Sequence, residues 1–254
     1  MGKHKIKKKT TTLEINLVKM KDMEFDDSLF IPMKTDTLAD HILSTEGGLF
    51  PGTNTIVIGD PGVGKSTVLL EWIANLQKQG KRCLFVSGEM NEIDMYGYAK
   101  RFPKFGELPI LFLANYNNTK LVIEKTFEEG FHCVMVDSWA EVIGAVKEEN
   151  GWTRGQAEKW LLTLMDKHNK AHNKEKLHTS FLCVQQMTKG GEFAGSNRIK
   201  HMTTAMIELR FDGPGVDALR FMEYSKNRRG GLQDKIYFSL NRGEVVDYSF
   251  EVIN

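Results

Sequence analysis

The sequence predicts an α/β fold: a mostly parallel, twisted sheet with helices on both faces, continued by an antiparallel extension toward the C-terminus. Three observations predict it. Short β-branched apolar runs alternate with stretches of helical period through most of the 254 residues, as strand–helix–strand crossovers require. From Thr203 onward the apolar period shortens to two, the mark of hairpin strands. Between the first strand and the first long helix lies Gly59-Asp60-Pro61-Gly62-Val63-Gly64-Lys65-Ser66, which fits the phosphate-binding pattern G-x-x-x-x-G-K-S/T at every constrained position.

In chain order, residues 1–30 are expected to be a basic tail with a possible edge element, and residues 31–254 the core. Five of the first ten residues are lysine (Lys3, Lys5, Lys7, Lys8 and Lys9), which leaves 29 basic and 33 acidic side chains in the remainder. Such a run is either a solvated tail or an arm that touches a phosphate backbone. Pro32 to Thr45 reads as a short helix capped by Asp36 or Thr37, with Leu38, Ile42 and Leu43 on one side. Gly47 to Gly52 turns the chain into the first strand, Thr55-Ile56-Val57-Ile58. Behind the glycine loop, Val68, Leu69, Leu70, Trp72, Ile73 and Leu76 recur at helical spacing until Gly80. Further strands follow at Cys83–Val86, Ile110–Leu113, Cys133–Asp137 and Phe181–Gln186. Helices are expected after a cap at Asn91, around Leu121–Glu129, and from Trp152 to about Lys170. Ala205–Leu209, Leu219–Tyr224 and Ile236–Phe238 complete the sheet as hairpins.

Bulk properties narrow the function classes. A hydrophobic content of 41% and a charged content of 26% are ordinary for a soluble domain, and the net charge of +1 is not that of a globally basic nucleic-acid binder. No apolar run approaches the roughly 20 residues of a membrane span, and the early lysines are not followed by an apolar signal segment. The expected location is cytoplasmic. Cys83, Cys133 and Cys183 each sit in a strand-like run and are expected to be reduced core residues.

The glycine loop carries the chemistry. Glycines let successive N–H groups turn toward phosphate oxygens, and the helix N-terminus adds partial positive charge. Residues Gly59 to Ser66, with Thr67, would therefore hold ATP. Lys65 would reach its β- and γ-phosphates, and the Ser66 hydroxyl would take one position on Mg²⁺. Asp137, ending a buried strand, is the candidate carboxylate of the Mg²⁺ shell, or else caps the next helix. Glu89 ends the second strand on the edge where ligands sit in open α/β folds. It either orients a water toward the γ-phosphate or is a surface residue of a helix start.

A family resemblance covers about residues 35–248. Gly48-Leu49-Phe50-Pro51-Gly52, the glycine loop, Val86-Ser87-Gly88-Glu89, Val136-Asp137-Ser138, Met187-Thr188-Lys189, Ala194-Gly195 and His201-Met202 occur in the motif order of the RadA/Sms branch of RecA-like ATPases. Lys226-Asn227-Arg228-Arg229-Gly230 resembles the Lys-Asn-Arg-Phe-Gly signature of that branch, with Arg229 in place of Phe. Glu89-Met90 is also similar to DnaB-type helicases. The resemblance implies a RecA-like phosphate-loop core that forms hexameric rings, hydrolyses ATP and moves along or remodels DNA. It implies Glu89 as the catalytic carboxylate and Gln186 as the γ-phosphate sensor, although Gln185 and Gln186 could instead be paired amides at a strand end. It implies that Lys226 and Arg228 enter a neighbour's ATP site, and that the glycine-rich segment with Lys189, Arg198 and Lys200 contacts single-stranded or branched DNA. Lys147 to Arg154, with Trp152, is a second candidate DNA loop. Without a four-cysteine zinc element or a Lon-protease-like domain, the expectation is an ATPase core alone. A strand-exchange recombinase, a KaiC-like signalling ATPase and a non-catalytic nucleotide module are the competing readings.

Overall fold

A computed structural model describes residues 17–187, 199, 203–214, 218–240 and 247–250. Its centre is β1 (Asn54–Gly59), buried along its whole length. Alternate side chains serve opposite faces: Val57 packs into one apolar cluster, and Ile56 and Ile58 pack into the other, as the two-residue period of a strand dictates. Further strands are β2 (Cys83–Ser87), β3 (Ile110–Phe112), β4 (Cys133–Asp137), β5 (Ser180–Gln186), β6 (Ala205–Asp212), β7 (Leu219–Asn227), β8 (Ile236–Ser239) and β9 (Asp247–Ser249). They form one sheet in the order β3-β2-β4-β5-β1-β6-β7-β8-β9. The pairings from β3 to β6 are parallel and those from β6 to β9 antiparallel. The predicted fold class is therefore the observed one. The hairpin expectation holds for β6 to β9, which run as an antiparallel meander, while β6 also joins β1 in parallel register, Thr55 opposite Ala205. β9 was not anticipated.

The helices divide between the faces. α2 (Lys65–Lys78) packs Val68, Leu69, Trp72, Ile73 and Leu76 into the cluster around Val57 and Phe85. Each such aliphatic side chain taken from water stabilises the fold by about 1.5–3 kcal/mol. α3 (Glu92–Arg101) lies on the same face. Its predicted cap is present: the Asn91 side chain accepts from Ile93 N at 2.9 Å and Asp94 N at 3.0 Å, and Asp94 accepts from Asn91 N at 3.3 Å. This is a reciprocal capping box. α4 (Thr119–Glu128), α5 (Trp139–Asn150) and α6 (Arg154–Asn169) cover the other face. Cys83, Cys133 and Cys183 are free and buried, and no described helix is long and apolar enough to cross a membrane.

Three expectations are corrected. The helix expected over Pro32–Thr45 shrinks to α1 (Asp40–Leu43). Met33 is instead held to Leu49 by two 2.8 Å backbone hydrogen bonds, and Asp36 adopts a left-handed φ of 55°. The Asp40 carboxylate accepts from Thr35 N at 2.8 Å and Asp36 N at 3.1 Å, which folds the preceding segment into a turn. Asp36 caps nothing, and Thr37 Oγ1 accepts from Ala39 N at 3.2 Å while sharing a 2.8 Å hydrogen bond with Thr35 Oγ1. Second, Lys147 to Arg154 is no open loop. Lys147–Asn150 is the last turn of α5, Gly151 takes a left-handed φ of 62°, and Thr153 caps α6 in a second capping box. Third, residues 17–30 contain two 3-10 turns, Met20–Asp22 and Asp27–Phe30, and no edge strand.

Candidate functional site

The carboxyl ends of β1, β2, β4 and β5 converge on a cleft of about 410 Å³ beside the glycine loop. At Gly59, with φ of 153°, an added Cβ would collide with the Leu209 carbonyl oxygen, so only glycine lets the loop leave β1 this close to β6. Asp60 fastens the loop from its second position: its carboxylate accepts from Phe211 N at 3.1 Å and from Arg210 Nη1 at 3.4 Å. Lys65 opens α2, and its ammonium donates to the Gly59 and Asp60 carbonyls at 3.0 and 2.9 Å. Burial pulls its pKa below the usual lysine range, against the opposing pull of Asp137, Asp60 and Glu89. Lys65 is thus a desolvated cation at the base of a nest of N–H groups, an arrangement that can take a phosphate chain.

Beside it, the Ser66 hydroxyl donates to Asp137 Oδ2. Asp137 is buried at the end of β4. Burial lifts its pKa to about 6, with Glu89 adding to the rise and Ser66 and Lys65 opposing it. One hydroxyl and one buried carboxylate oxygen in contact form a hard oxygen donor set that fits Mg²⁺, whose remaining positions go to phosphate oxygens and water. Glu89 and Gln186 meet across the cleft: the Gln186 amide donates to Glu89 Oε1 at 2.9 Å. Gln185 is buried and donates to the Gln186 carbonyl at 3.2 Å. The two amides therefore do not pair with each other, and Gln186 alone faces the carboxylate.

Other predicted residues lie elsewhere. Lys226 pairs in register with Met206, and Arg228 N donates to the Thr204 carbonyl at 3.1 Å. Both stand at the amino edge of the sheet, opposite the cleft. Lys226 Nζ donates to the Thr203 carbonyl at 2.6 Å, and burial together with the nearby Arg228 lowers its pKa. Asn227 between them holds the turn, donating to the Ile42 carbonyl at 3.0 Å and accepting from Arg229 N at 2.9 Å. Lys189, Arg198 and Lys200 lie outside the described residues.

The cleft also has walls that the sequence reading missed. Tyr98, Arg101 and Phe102 line it from α3, and Leu240, just past β8, lines it from the other side. Leu240 Cδ1 would lie 2.7 Å from a Cβ added at Gly64. A signal for the α3 residues existed in their i, i+3, i+4 spacing after a capped helix start.

Comparison with known proteins finds likeness in sequence and in fold. A family model described as "ATPase: KaiC" matches residues 33–132. The chain is 30% identical over 194 residues to the DNA repair protein RadA of Campylobacter jejuni, a match covering 76% of this chain and 41% of that protein. It is 31% identical over 199 residues to RadA of Mycobacterium tuberculosis, covering 77% and 39%. The chain thus spans about two fifths of the length of these relatives. Among solved structures, a KaiC-like protein from Pyrococcus horikoshii aligns with a TM-score of 0.65 at 16% identity, covering 86% of this chain and 99% of that one. The flagellar accessory protein FlaH from Methanocaldococcus jannaschii aligns with the same score and coverage at 15% identity. At such identities the likeness is one of fold.

Proposed function

The chain carries a RecA-like ATPase core similar in sequence to that of RadA, and we propose that it works as a DNA-dependent ATPase motor, a helicase or branch-migration translocase of the RadA/DnaB kind. The observation that carries this reading is the pairing of Glu89 with Gln186 at 2.9 Å above the contact of Ser66 with Asp137. A water-orienting carboxylate, a neutral amide and a metal-binding pair then share one phosphate cleft.

In this reading the loop N–H groups and Lys65 hold the β- and γ-phosphates, and Ser66 and Asp137 hold Mg²⁺, which neutralises charge on the phosphate oxygens when bound. Glu89 orients a water whose oxygen attacks the γ-phosphorus as the bond to the β–γ bridging oxygen breaks, releasing ADP and phosphate. Gln186, freed from or kept on Glu89 according to whether a γ-phosphate is present, reports occupancy to the segment after β5, where Lys189, Arg198 and Lys200 contact the DNA backbone. Lys226 and Arg228 complete the site of a neighbouring subunit, which makes an oligomer, a hexameric ring in this reading, the active form. The relatives' description as DNA repair proteins supports DNA as the partner.

The test is the ATPase rate with and without single-stranded DNA, measured beside the mass of the assembly. DNA-stimulated turnover in an oligomer is expected. Oligomeric turnover indifferent to DNA would replace the motor with a KaiC-like signalling ATPase, a reading the family-model match favours.

A further inference from the structure

We propose that Arg101 is a second phosphate-binding cation of the cleft, supplied by the same subunit as Lys65 and directed at the γ-phosphate; this rests on reading the cleft as an ATP site. The topology places it there. β2 delivers Glu89 to the cleft, and α3 starts three residues later behind its Asn91 cap. The last turn of α3 brings Tyr98, Arg101 and Phe102 onto the cleft wall, while Ile93 and Tyr96 on the other face are 81% and 63% exposed. In the strand order, β2 and β8 lie on opposite sides of β1. Arg101 therefore enters from the flank that also supplies Glu89, and Leu240 lies on the opposite flank. In the proposed reading Glu89 faces the γ-phosphate, and Arg101 lines the same cleft from that flank.

Its surroundings suit that task. The Arg101 guanidinium carbon lies 5.1 Å from the centroid of the Phe102 ring. Phe102 is itself buried at 2% exposure and packed against Phe105, the ring centroids 5.3 Å apart and the planes tilted by 43°. An aromatic platform holds the planar head and lowers the entropy lost when it binds an anion. Three other arginines are committed to carboxylates, Arg82 to Glu175, Arg154 to Glu158, and Arg210 to Asp60 and Glu208, while Arg220 and Arg229, which do not line the cleft, lie over Phe211 and Phe50. Among the described residues no carboxylate lies within ion-pair distance of Arg101. The cleft lining otherwise holds two carboxylates, Glu89 and Asp137, and one cation, Lys65, already turned onto loop carbonyls. A Mg²⁺–ATP complex entering such a cleft retains net negative charge, and a preset guanidinium offers its terminal phosphate two parallel N–H donors.

A helix C-terminus also favours a cation for purely structural reasons, so the test must separate the two roles. Arg101→Ala and Arg101→Lys are compared with the parental chain in binding of ADP, binding of a non-hydrolysable ATP analogue, turnover and thermal midpoint. ADP lacks the group that Arg101 would touch. Expected for Arg101→Ala are parental ADP affinity and thermal midpoint, about tenfold weaker analogue binding and at least about tenfold slower turnover, the scale of one lost charge-assisted contact. Lysine should restore part of both losses. Mixing Arg101→Ala with Lys65→Ala should restore no turnover, because both groups belong to one subunit's site. A parental ratio of analogue to ADP affinity in both variants overturns the proposal, as does recovery in the mixture. If the parental chain binds neither nucleotide, the reading of the cleft falls, and the proposal with it.

Discussion

Mixing two inactive variants tests the trans role of Arg228 most directly. Arg228 N bonds to the Thr204 carbonyl, and Thr204 N bonds to the Asn54 carbonyl, so Arg228 stands level with the first residue of β1. Gly59 lies five residues further along that strand, about 16 Å away at ~3.3 Å per residue, and the two strand spacings from β1 to β7 add roughly 10 Å sideways. No arginine side chain spans that separation, so Arg228 cannot serve the phosphate loop of its own chain. Arg228→Ala should bind ATP nearly as the parental chain does and lose on the order of 10³-fold in turnover, the scale of a missing arginine finger. Lys65→Ala should also be inactive, through loss of its own phosphate site. In a one-to-one mixture with subunit exchange, about one quarter of head-to-tail contacts unite an intact loop with an intact finger, so turnover should recover to about one quarter of the parental value. The assay is steady-state phosphate release across mixing ratios, with mass measurements confirming mixed assemblies. Inactive mixtures that demonstrably contain both variants would refute the reasoning.

Glu89→Gln keeps the shape and the contact with Gln186 while losing the charge that orients water; ATP binding should persist and turnover fall by about 10²-fold or more. Parental turnover in that variant would place the catalytic carboxylate elsewhere. Changing Lys189, Arg198 and Lys200 together to Ala should weaken single-stranded DNA binding and flatten its salt dependence, since each lost phosphate contact removes about one ion from the release. Basal ATPase should survive, and an unchanged salt slope would argue for DNA-independent signalling. His168 is fully buried against Phe127, with neither ring nitrogen hydrogen-bonded, and burial, with Lys167 and His172 adding, lowers its pKa to about 4, against Glu128. Its folded-state pKa lies below the unfolded value, so stability is full above about pH 6.5 and declines as pH falls toward 4, by an amount on the order of 2–3 kcal/mol at ~1.4 kcal/mol per unit. Denaturant titrations should show that loss in the parental chain and a flatter profile in His168→Phe; identical slopes would remove His168 from the acid response.

The site was legible wherever chemistry is encoded in contiguous residues. The glycine loop, Asp137 at a strand end and Glu89 at another are each set by a short run whose strand or loop character is local. Their convergence followed from parallel strands sharing one carboxyl edge. Legibility failed where a side chain reached outside its own run. Asp40 folds back onto Thr35 and Asp36, so a helical apolar spacing gave only one turn of helix. Gly151 splits two helices whose apolar faces, Trp139-Val142-Ile143-Val146 and Leu161-Leu162-Met165, each had the right period. Arg101 shares a helical face with Tyr98 and Phe102 by spacing alone, but nothing in that spacing says which face of α3 meets the glycine loop.

The amino-edge position of Lys226 and Arg228, set against the carboxyl-edge cleft, also restricts symmetry. On the trans reading, a two-fold pair completes both clefts only if the chains lie antiparallel side by side, each amino edge against the other's carboxyl edge. A head-to-tail rotation that sets one chain's amino edge on the next chain's carboxyl edge satisfies every member only when the series closes on itself. An open series always ends in one cleft without a donor and one donor without a cleft. On the trans reading, catalytic capacity per chain therefore counts closed circuits, and a terminal subunit of any broken ring is idle while fully folded.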